Sequence, residues 1–357
     1  MINNDISEQL QHEVLDAIDQ YEVLRIHGGD SKDFYGNQVA STKTLDVSAH
    51  TGIIDYEPSE LVITVRAGTK LIDLEAVLAE HAQQLPFEPP IHNENSTIGG
   101  VVAAGLSGPR RPFSGAVRDH ILGMTLINGQ GKIVSFGGQV MKNVAGYDVS
   151  RLMVGSLGSL GVILSVSIKL IPAPASEVTF AIEATQQKAI NLFNQWRPTP
   201  LPISATCFYE GRLYVRLSGG HQSVTAFSRQ MQGEQLANPE SFWNSIRNQS
   251  HIFFQHQNKP LWRLSFPPAT PALQNLEKNT LIEWGGAQYW LFSNAPSNII
   301  RGVAEKNKGH ATLYKGEQPG VNKFHLLPAE LMKLQKRLKN TLDPHNIFVS
   351  GRLYKGF

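Results

Sequence analysis

The segment best suited to hold a ligand is 96–108, STIGGVVAAGLSG, where glycines stand among small and hydroxyl-bearing residues. Two other segments share this character, RIHGGDSKDFYG at 25–36 and KNVAGYDVSRLMVGSLGSLGV at 142–162. Glycine allows close approach to the backbone, and successive N–H groups beside a hydroxyl bind anions. A single loop of this kind is commonly only a turn. Three in one half of the chain predict a large phosphate-bearing ligand.

Several familiar sites are excluded by their patterns. The chain contains no G-x-x-x-x-G-K-[ST] phosphate loop, no H-E-x-x-H zinc pair and no G-x-S-x-G nucleophile elbow. The glycines at 155, 158 and 161 have the wrong spacing for a dinucleotide fingerprint and precede a strand. Cys207 is the single cysteine, so an iron–sulfur cluster would have to be held by a partner.

Composition indicates a globular protein of about two domains. The chain has 357 residues, 41% of them hydrophobic and 17% charged, and a net charge of +2. This charge does not favour nucleic acid as a partner. We find neither a signal-peptide pattern nor an apolar run long enough to span a membrane, and therefore expect a cytoplasmic protein.

Hydrophobic spacing in the first half predicts mixed helices and strands. A helix is expected over 6–21, with Asp5 and Glu8 spaced as a capping box. A second is expected over 69–81, with Thr69 as its N-cap. The run ILGMTLINGQGKIVSF at 121–136 predicts a hairpin around Asn128.

After the proline-rich break PAPASE at 172–177, the pattern predicts a second α+β domain with a central antiparallel sheet. The final helix, PAELMKLQKRLKNTLDP, has a leucine stripe. Its lysines and arginine, Lys339 among them, predict a solvated basic face, with a docking surface for an acidic partner as the alternative. The predicted domains are therefore 1–175 and 176–328. A C-terminal helix and tail, 329–357, is predicted to return to the first domain.

Together these segments resemble the vanillyl-alcohol oxidase, or PCMH-type, FAD-binding flavoproteins. The resemblance is carried by VITVRAGTKLIDLEAVLAE, STIGGVVAAGLSGPRR and KNVAGYDVSRLMVGSLGSLGVI, followed by the closing LDPHNIFVSGRL. The run GPRRPFSGAVRDHILG is similar, more specifically, to the FAD-binding subunits of bacterial glycolate oxidases. The implied fold is α+β: a PCMH-type FAD-binding domain of two α+β subdomains, followed by a smaller α+β domain with a central antiparallel sheet.

The resemblance implies FAD as the cofactor and assigns residues to it by position. The loop from His27 to Lys32 would contact the pyrophosphate, and Thr97, Gly99 and Gly100 would approach the pyrophosphate and ribityl chain. The full set of implied FAD contacts is His27, Gly28, Gly29, Asp30, Ser31, Lys32, Pro90, Thr97, Gly99, Gly100, Gly105, Ser107, Gly146, Tyr147, Asp148, Gly161, Val162 and Ile163. Lys142, Arg110 and Arg111 are candidate cations near the flavin, and solvent or a partner is the alternative for the arginines.

Departures from the family bear on how FAD is held and used. Asp30 stands where members with a histidyl-linked flavin have histidine, so FAD is expected to be non-covalent. Leu157 replaces a glutamate, and Val349-Ser350 replaces the closing Asn-Pro. The second half lacks the family's His-x-His-Asp-Gly and Glu-His-Gly runs, leaving His310 and His345 as isolated histidines.

The implied function is that of an FAD-binding subunit in a multi-subunit glycolate oxidase. Its partners would be a larger flavin-domain subunit and an iron–sulfur subunit, with membrane contact only through the complex. Two alternatives stay open: a self-sufficient FAD-dependent oxidoreductase for a small hydroxy acid, and a non-catalytic assembly subunit. No catalytic residue or metal site is assigned.

Overall fold

The structure is a computed structural model that describes residues 2–138, 149–255, 258–273 and 279–357. The chain divides into two compact units. The first comprises Met1–Leu106, Ala116–Ala173 and Leu326–Phe357, and the second comprises Ser107–Gly115 and Pro174–His325. Among the described residues, no helix is long and apolar enough to cross a membrane.

The first unit is built on a five-stranded antiparallel sheet. Its strands, in spatial order, are Ile53–Glu57, Val62–Arg66, Val162–Lys169, Ile121–Ile127 and Ile133–Gly137. Two smaller sheets pair Leu24–His27 with Lys43–Asp46 in parallel and Gln83–Gln84 with Ile171–Pro172 in antiparallel. The helices are Ser7–Asp19, Leu71–Glu80, Ile98–Ala104, Val117–His120, Val149–Met153 and Ala329–Leu342, with a 3-10 turn at Pro58–Glu60. The predicted hairpin is confirmed, because the last two strands of the large sheet pair around Asn128.

Both predicted helix caps in this unit are wrong. The helix begins after Ile6 and no capping box forms between Asp5 and Glu8. One Asp5 oxygen accepts the N–H of Ser7 at 3.0 Å, and the other lies 2.8 Å from the Arg66 guanidinium. This cation holds the pKa of Asp5 well below its usual range. The second helix begins after Lys70, and the Thr69 hydroxyl accepts the backbone N–H of Gly52 at 2.9 Å. A tertiary partner therefore occupies the Thr69 hydroxyl, whereas the Asp5 carboxylate contacts both the start of its helix and Arg66.

The second unit contains an antiparallel sheet of eight strands, as its hydrophobic pattern predicted. In spatial order these are Glu234–Gln235, Ser176–Glu183, Arg212–Gly219, Ile203–Tyr209, Thr280–Glu283, Gln288–Phe292, Leu261–Ser265 and His310–Lys315. The helices are Arg111–Ser114, Gln186–Trp196, His221–Ser228, Pro239–Arg247 and Ser297–Lys306, with 3-10 turns at Ile252–Gln255 and Trp284–Gly286. One sheet face packs on apolar helix side chains such as Ile190, Phe193 and Ile300.

The segment Ser107–Gly115, which the sequence placed in the first domain, lies in the second unit. The Trp284 indole donates a hydrogen bond to the Gly108 carbonyl at 3.0 Å. Arg110 is buried, and its guanidinium donates to the Glu177 carboxylate at 3.2 Å. Solvent exposure, one of the alternatives that the sequence left for Arg110, is therefore wrong.

The C-terminal helix departs from its predicted faces. Leu338 and Leu342 pack against the core of the first unit, whereas Leu331 and Leu334 are 49% and 60% exposed. Lys339, predicted on a solvated face, is only 3% exposed. Burial lowers its pKa, and the nearby Asp343 carboxylate opposes that shift. An ammonium at this depth needs hydrogen-bond acceptors, and it has three.

Candidate binding site

The first unit contains a cleft with an empty volume of about 850 Å³, its open mouth included. Its walls come from the loop after the strand Leu24–His27, the helix Ile98–Ala104 and the start of the strand Val162–Lys169. The predicted site residues that line it are Gly28, Gly29, Asp30, Ser31, Lys32, Thr97, Gly99, Gly100, Gly161 and Ile163. Two of the three glycine-rich segments are therefore seen to meet, together with the end of the third.

The loop at 28–32 can lie directly against the Asn95 backbone because Gly29 has no side chain. A Cβ on Gly29 would lie 1.5 Å from the Asn95 carbonyl oxygen, which no real contact permits. Asp30 follows with φ +46°. The chain then brings the hydroxyl of Ser31 and the ammonium of Lys32 to the cleft, 3.2 Å apart.

Lys32 is the most unusual charged group of the cleft. It is 8% exposed, and within the described parts of the chain no carboxylate lies within ion-pair distance of its ammonium. Burial lowers the pKa of Lys32 to about 8. A buried cation without a counter-ion is costly, so an anionic ligand in the cleft would relieve that cost.

The helix Ile98–Ala104 points its first turn at the same cleft. Thr97 is its N-cap, and the Thr97 hydroxyl accepts the N–H of Gly100 at 3.1 Å. A Cβ on Gly100 would meet only that hydroxyl, at 3.2 Å, so the space beyond is open. A Cβ on Gly99 would instead lie 2.7 Å from the Cβ of Ala67. Gly99 thus permits the helix to pack closely against Ala67, the residue after the strand Val62–Arg66, and Gly100 leaves the cleft open.

Charged residues form a linked network beside the loop. The Arg25 guanidinium lies 2.8 Å from Asp33 and 3.3 Å from Asp30. His27 contacts the same Asp30 carboxylate at 2.9 Å. Arg352, from the C-terminal tail, pairs with Asp33 at 3.1 Å. These pairs hold the loop and the tail together at one edge of the cleft.

Some predicted residues do not line the cleft. His27 belongs to the adjacent network, Pro90 is buried, and Val162 lies in a hydrophobic core. Gly105 ends the helix with φ +63°, and Ser107 belongs to the second unit. Gly146, Tyr147 and Asp148, as well as Lys142, lie outside the described residues.

Sequence reasoning missed other lining residues, namely Arg25, Ile26, Asp33, Val47, Ala67, Ala103, Ala104, Leu157, Gly158, Val349 and Arg352. A signal existed for Arg352, since it is the basic residue of the closing LDPHNIFVSGRL segment. Its pairing with Asp33 joins residues 319 positions apart, which local spacing cannot indicate.

The donor set of the cleft favours an anionic ligand of considerable length. Backbone N–H groups, the hydroxyls of Ser31 and Thr97, and a buried ammonium can contact phosphate oxygens, while the alanines and Ile163 offer apolar contact. No group of three or more potential metal ligands occurs among the described residues.

Comparisons with known proteins agree with this chemistry. Residues 7–137 match the family FAD_binding_4, the FAD binding domain. The chain is 45% identical over 350 residues to "Glycolate oxidase subunit GlcE" of Escherichia coli (strain K12), covering 98% of each chain. It is 35% identical over 128 residues to "Glycolate oxidase subunit GlcD" of Bacillus subtilis (strain 168), covering 36% of this chain and 27% of the relative.

A "D-lactate dehydrogenase" of Anaerostipes hadrus is 37% identical over 130 residues, or 36% of this chain and 27% of the relative. Among solved structures, alkyldihydroxyacetonephosphate synthase superposes with a TM-score of 0.67 at 15% identity, covering 95% of this chain and 73% of that one. That likeness concerns the fold. The full-length match, together with the FAD-binding domain, shows that this chain belongs to the GlcE family of glycolate oxidase subunits, which are FAD-binding flavoproteins.

Proposed function

We propose that this chain is the FAD-holding subunit of a multi-subunit glycolate (2-hydroxy acid) oxidase. It holds FAD non-covalently in the cleft of the first unit and passes electrons toward an iron–sulfur partner. The observation that carries the proposal is the buried Lys32 ammonium beside the glycine loop and the Thr97-capped helix.

The cleft residues fit the cofactor. The FAD pyrophosphate would supply negative charge to Lys32, which has no carboxylate partner among the described residues. The N–H groups of Gly28 and Gly29 would donate to the pyrophosphate oxygens. The open side of Gly100 would admit the cofactor chain against the helix. Bound FAD supplies a two-electron acceptor for the oxidation of a hydroxy acid.

Non-covalent attachment is favoured by the residues that a link would need. Asp30 occupies the position of the linking histidine, and its carboxylate contacts Arg25 and His27. Cys207 is fully buried in the sheet of the second unit, where burial raises the pKa of its thiol well above normal. Neither residue is a candidate for a flavin bond.

The partners are inferred from the relatives and from what this chain lacks. GlcE and GlcD are both named as subunits of glycolate oxidase, so we propose a larger flavin-domain subunit as one partner. A single cysteine cannot hold an iron–sulfur cluster, so electrons would leave through a second, cluster-bearing subunit. We further propose a cytoplasmic location, with membrane contact only through the complex, and a substrate-type role for the second unit.

The test starts from the purified single chain and its visible flavin spectrum, followed by anaerobic addition of glycolate and of D-lactate. A bound flavin that stays oxidised until the partner subunits are added supports a relay subunit. Bleaching by the single chain would instead make it a self-sufficient oxidoreductase. A folded chain that never binds flavin would contradict the proposal and favour an assembly role.

A further inference from the structure

The second unit contains a cavity of its own, with an empty volume of about 970 Å³, its open mouth included. This size is typical of pockets that hold small organic ligands. All of its lining residues belong to the second unit, and it shares none of them with the cleft of the first unit. The walls come from the helix Arg111–Ser114, the helix Gln186–Trp196 with the residues after it, the strand Ile203–Tyr209 and the turn Trp284–Gly286.

Aromatic rings form much of the cavity wall. Phe193 and Trp196 lie one turn apart on their helix, with ring centres separated by 6.5 Å. Phe193 is buried, whereas Trp196 is half-buried and Phe113 is 44% exposed. Two of the lining rings therefore keep surface that a ligand can cover. Such walls favour a flat, unsaturated ligand, because aromatic rings stack on one another or meet edge to face.

Another wall of the cavity is a strained turn. Trp284 has φ +57°, a left-handed conformation that bulky residues rarely adopt, and Gly285 follows at φ +61°. The Trp284 indole donates to the Gly108 carbonyl, and the Arg111 guanidinium carbon lies 4.3 Å from the centre of the Trp284 ring. A Cβ on Gly285 would meet nothing within 4 Å, so the space beside the turn is open. Backbone strain of this kind is concentrated at sites that hold ligands.

The charge of the cavity is positive. Its described lining contains Arg111 and Arg197 but no aspartate or glutamate. Arg197 is exposed, and its guanidinium donates to the Pro268 carbonyl at 2.6 Å and to the Asn194 side-chain oxygen at 3.1 Å. Both acceptors are uncharged, and no carboxylate in the described ranges lies within ion-pair distance of Arg197. A guanidinium carries more N–H donors than these contacts use, so Arg197 is held in position and keeps donors for an anion.

We propose that this cavity binds a planar aromatic carboxylate. The ligand ring packs on Trp196, and its carboxylate pairs with Arg197. These two residues are neighbours at the end of one helix, so a single small ligand can contact both. An aliphatic acid would match only the charge of the cavity, and an uncharged arene would match only its rings. The site stands apart from the proposed FAD function, because the cleft contributes no residue to it.

The test uses the full chain in excess FAD and ligand-observed NMR titrations with 2-naphthoate, 2-naphthalenemethanol and cyclohexanecarboxylate. 2-Naphthoate should bind saturably, and the other two, which lack the charge or the aromatic rings, should each bind about tenfold more weakly. Trp196→Ala should weaken 2-naphthoate by about tenfold. Arg197→Met should weaken 2-naphthoate to the level of the alcohol and leave the alcohol unchanged. Arg229→Met, which changes an exposed arginine elsewhere in the second unit, is the matched control.

Flavin content and far-ultraviolet circular dichroism are recorded for every variant, and Trp196→Leu and Arg197→Gln serve if the first substitutions fail to fold. Absence of saturable 2-naphthoate binding to the folded chain would overturn the proposal, as would equal affinities for the acid and the alcohol. Folded Trp196 and Arg197 variants that bind like the parent would place any binding elsewhere and overturn it too. A chain that binds 2-naphthoate as expected but no FAD would overturn the FAD proposal and leave this site standing.

Discussion

The Lys339 ammonium lies 2.5 Å from the Asp343 carboxylate, with both groups buried where the C-terminal helix ends. Lys339 also donates to the carbonyl oxygens of Ser159 at 2.7 Å and Phe348 at 2.9 Å. Asp343 accepts the backbone N–H groups of Ile347 and Phe348, each at 3.0 Å. This pair therefore fixes the tail that carries Val349 and Arg352 to the cleft of the first unit.

Lys339→Met should lower the free energy of unfolding by about 3–5 kcal/mol, because Asp343 would remain as a buried charge without its cation. Denaturant unfolding monitored by circular dichroism checks this value. Lys336→Met, one turn away on the exposed face, should change it by less than about 0.5 kcal/mol. Equal effects of the two substitutions would refute the structural role of Lys339.

Gly100→Val should prevent FAD binding while the chain remains folded, because the space beside Gly100 is open toward the cleft. Gly99→Val should mainly unfold the chain, since the valine side chain would overlap with Ala67. Flavin absorbance and thermal unfolding of each purified variant separate the two effects. A stable Gly100→Val protein with a full complement of flavin would show that the cofactor binds elsewhere.

Gly29→Ala should be poorly tolerated even though alanine adds only one carbon. The new Cβ would lie 1.5 Å from the Asn95 carbonyl oxygen, so the loop at 28–32 or the Asn95 backbone must move. We expect reduced FAD affinity together with a lower melting temperature. Gly220→Ala is the control, since a Cβ there meets nothing within 4 Å. Equal FAD affinity and melting temperature in the two variants would rule out the close approach of Gly29 to the Asn95 carbonyl.

FAD affinity should fall as pH rises from 7 to 9.5. In the free cleft the pKa of Lys32 is about 8, and the pyrophosphate would raise it, so binding takes up a proton above pH 8. Fluorescence titrations of the apoprotein with FAD at several pH values measure this. Lys32→Met should weaken binding at pH 7 by about 10- to 100-fold and flatten the pH dependence.

The control for this prediction is Lys333→Met, which removes an exposed lysine of the C-terminal helix. It should leave both the affinity and its pH dependence unchanged. A Lys32→Met protein that retains the pH dependence of the parent would assign the titration to another group.

Local pattern was a good guide to the strands and to the glycine-rich loops. The hairpin around Asn128 and the antiparallel sheet of the second unit follow from alternation and turn residues, which act over a few positions. The segments were singled out because close approach to the backbone needs glycine. Gly28, Gly29 and Gly100, which the resemblance assigned to FAD, line one cleft.

What the sequence did not predict depends on distant partners. Lys339 lies on a helix whose sequence is amphipathic. Its buried ammonium donates a hydrogen bond to the carbonyl oxygen of Ser159, 180 positions away. Thr69 was assigned to a cap, but the nearby Gly52 N–H takes its hydroxyl. The sequence left Arg110 either near the flavin or in solvent, and did not predict its hydrogen bond to Glu177, 67 positions away. A polar or charged side chain can cap a helix, face solvent or form an ion pair. Tertiary contacts decide among these roles, and residue spacing along the chain does not predict those contacts.

The measurement that tests the central claim most directly is an equilibrium titration of the deflavinated full chain with FAD, compared with the Gly100→Val variant. The account predicts one saturable FAD site per chain in the parent and none in the folded variant. A folded parent chain that binds no FAD, or a variant that binds it equally well, would contradict the assignment of the cleft.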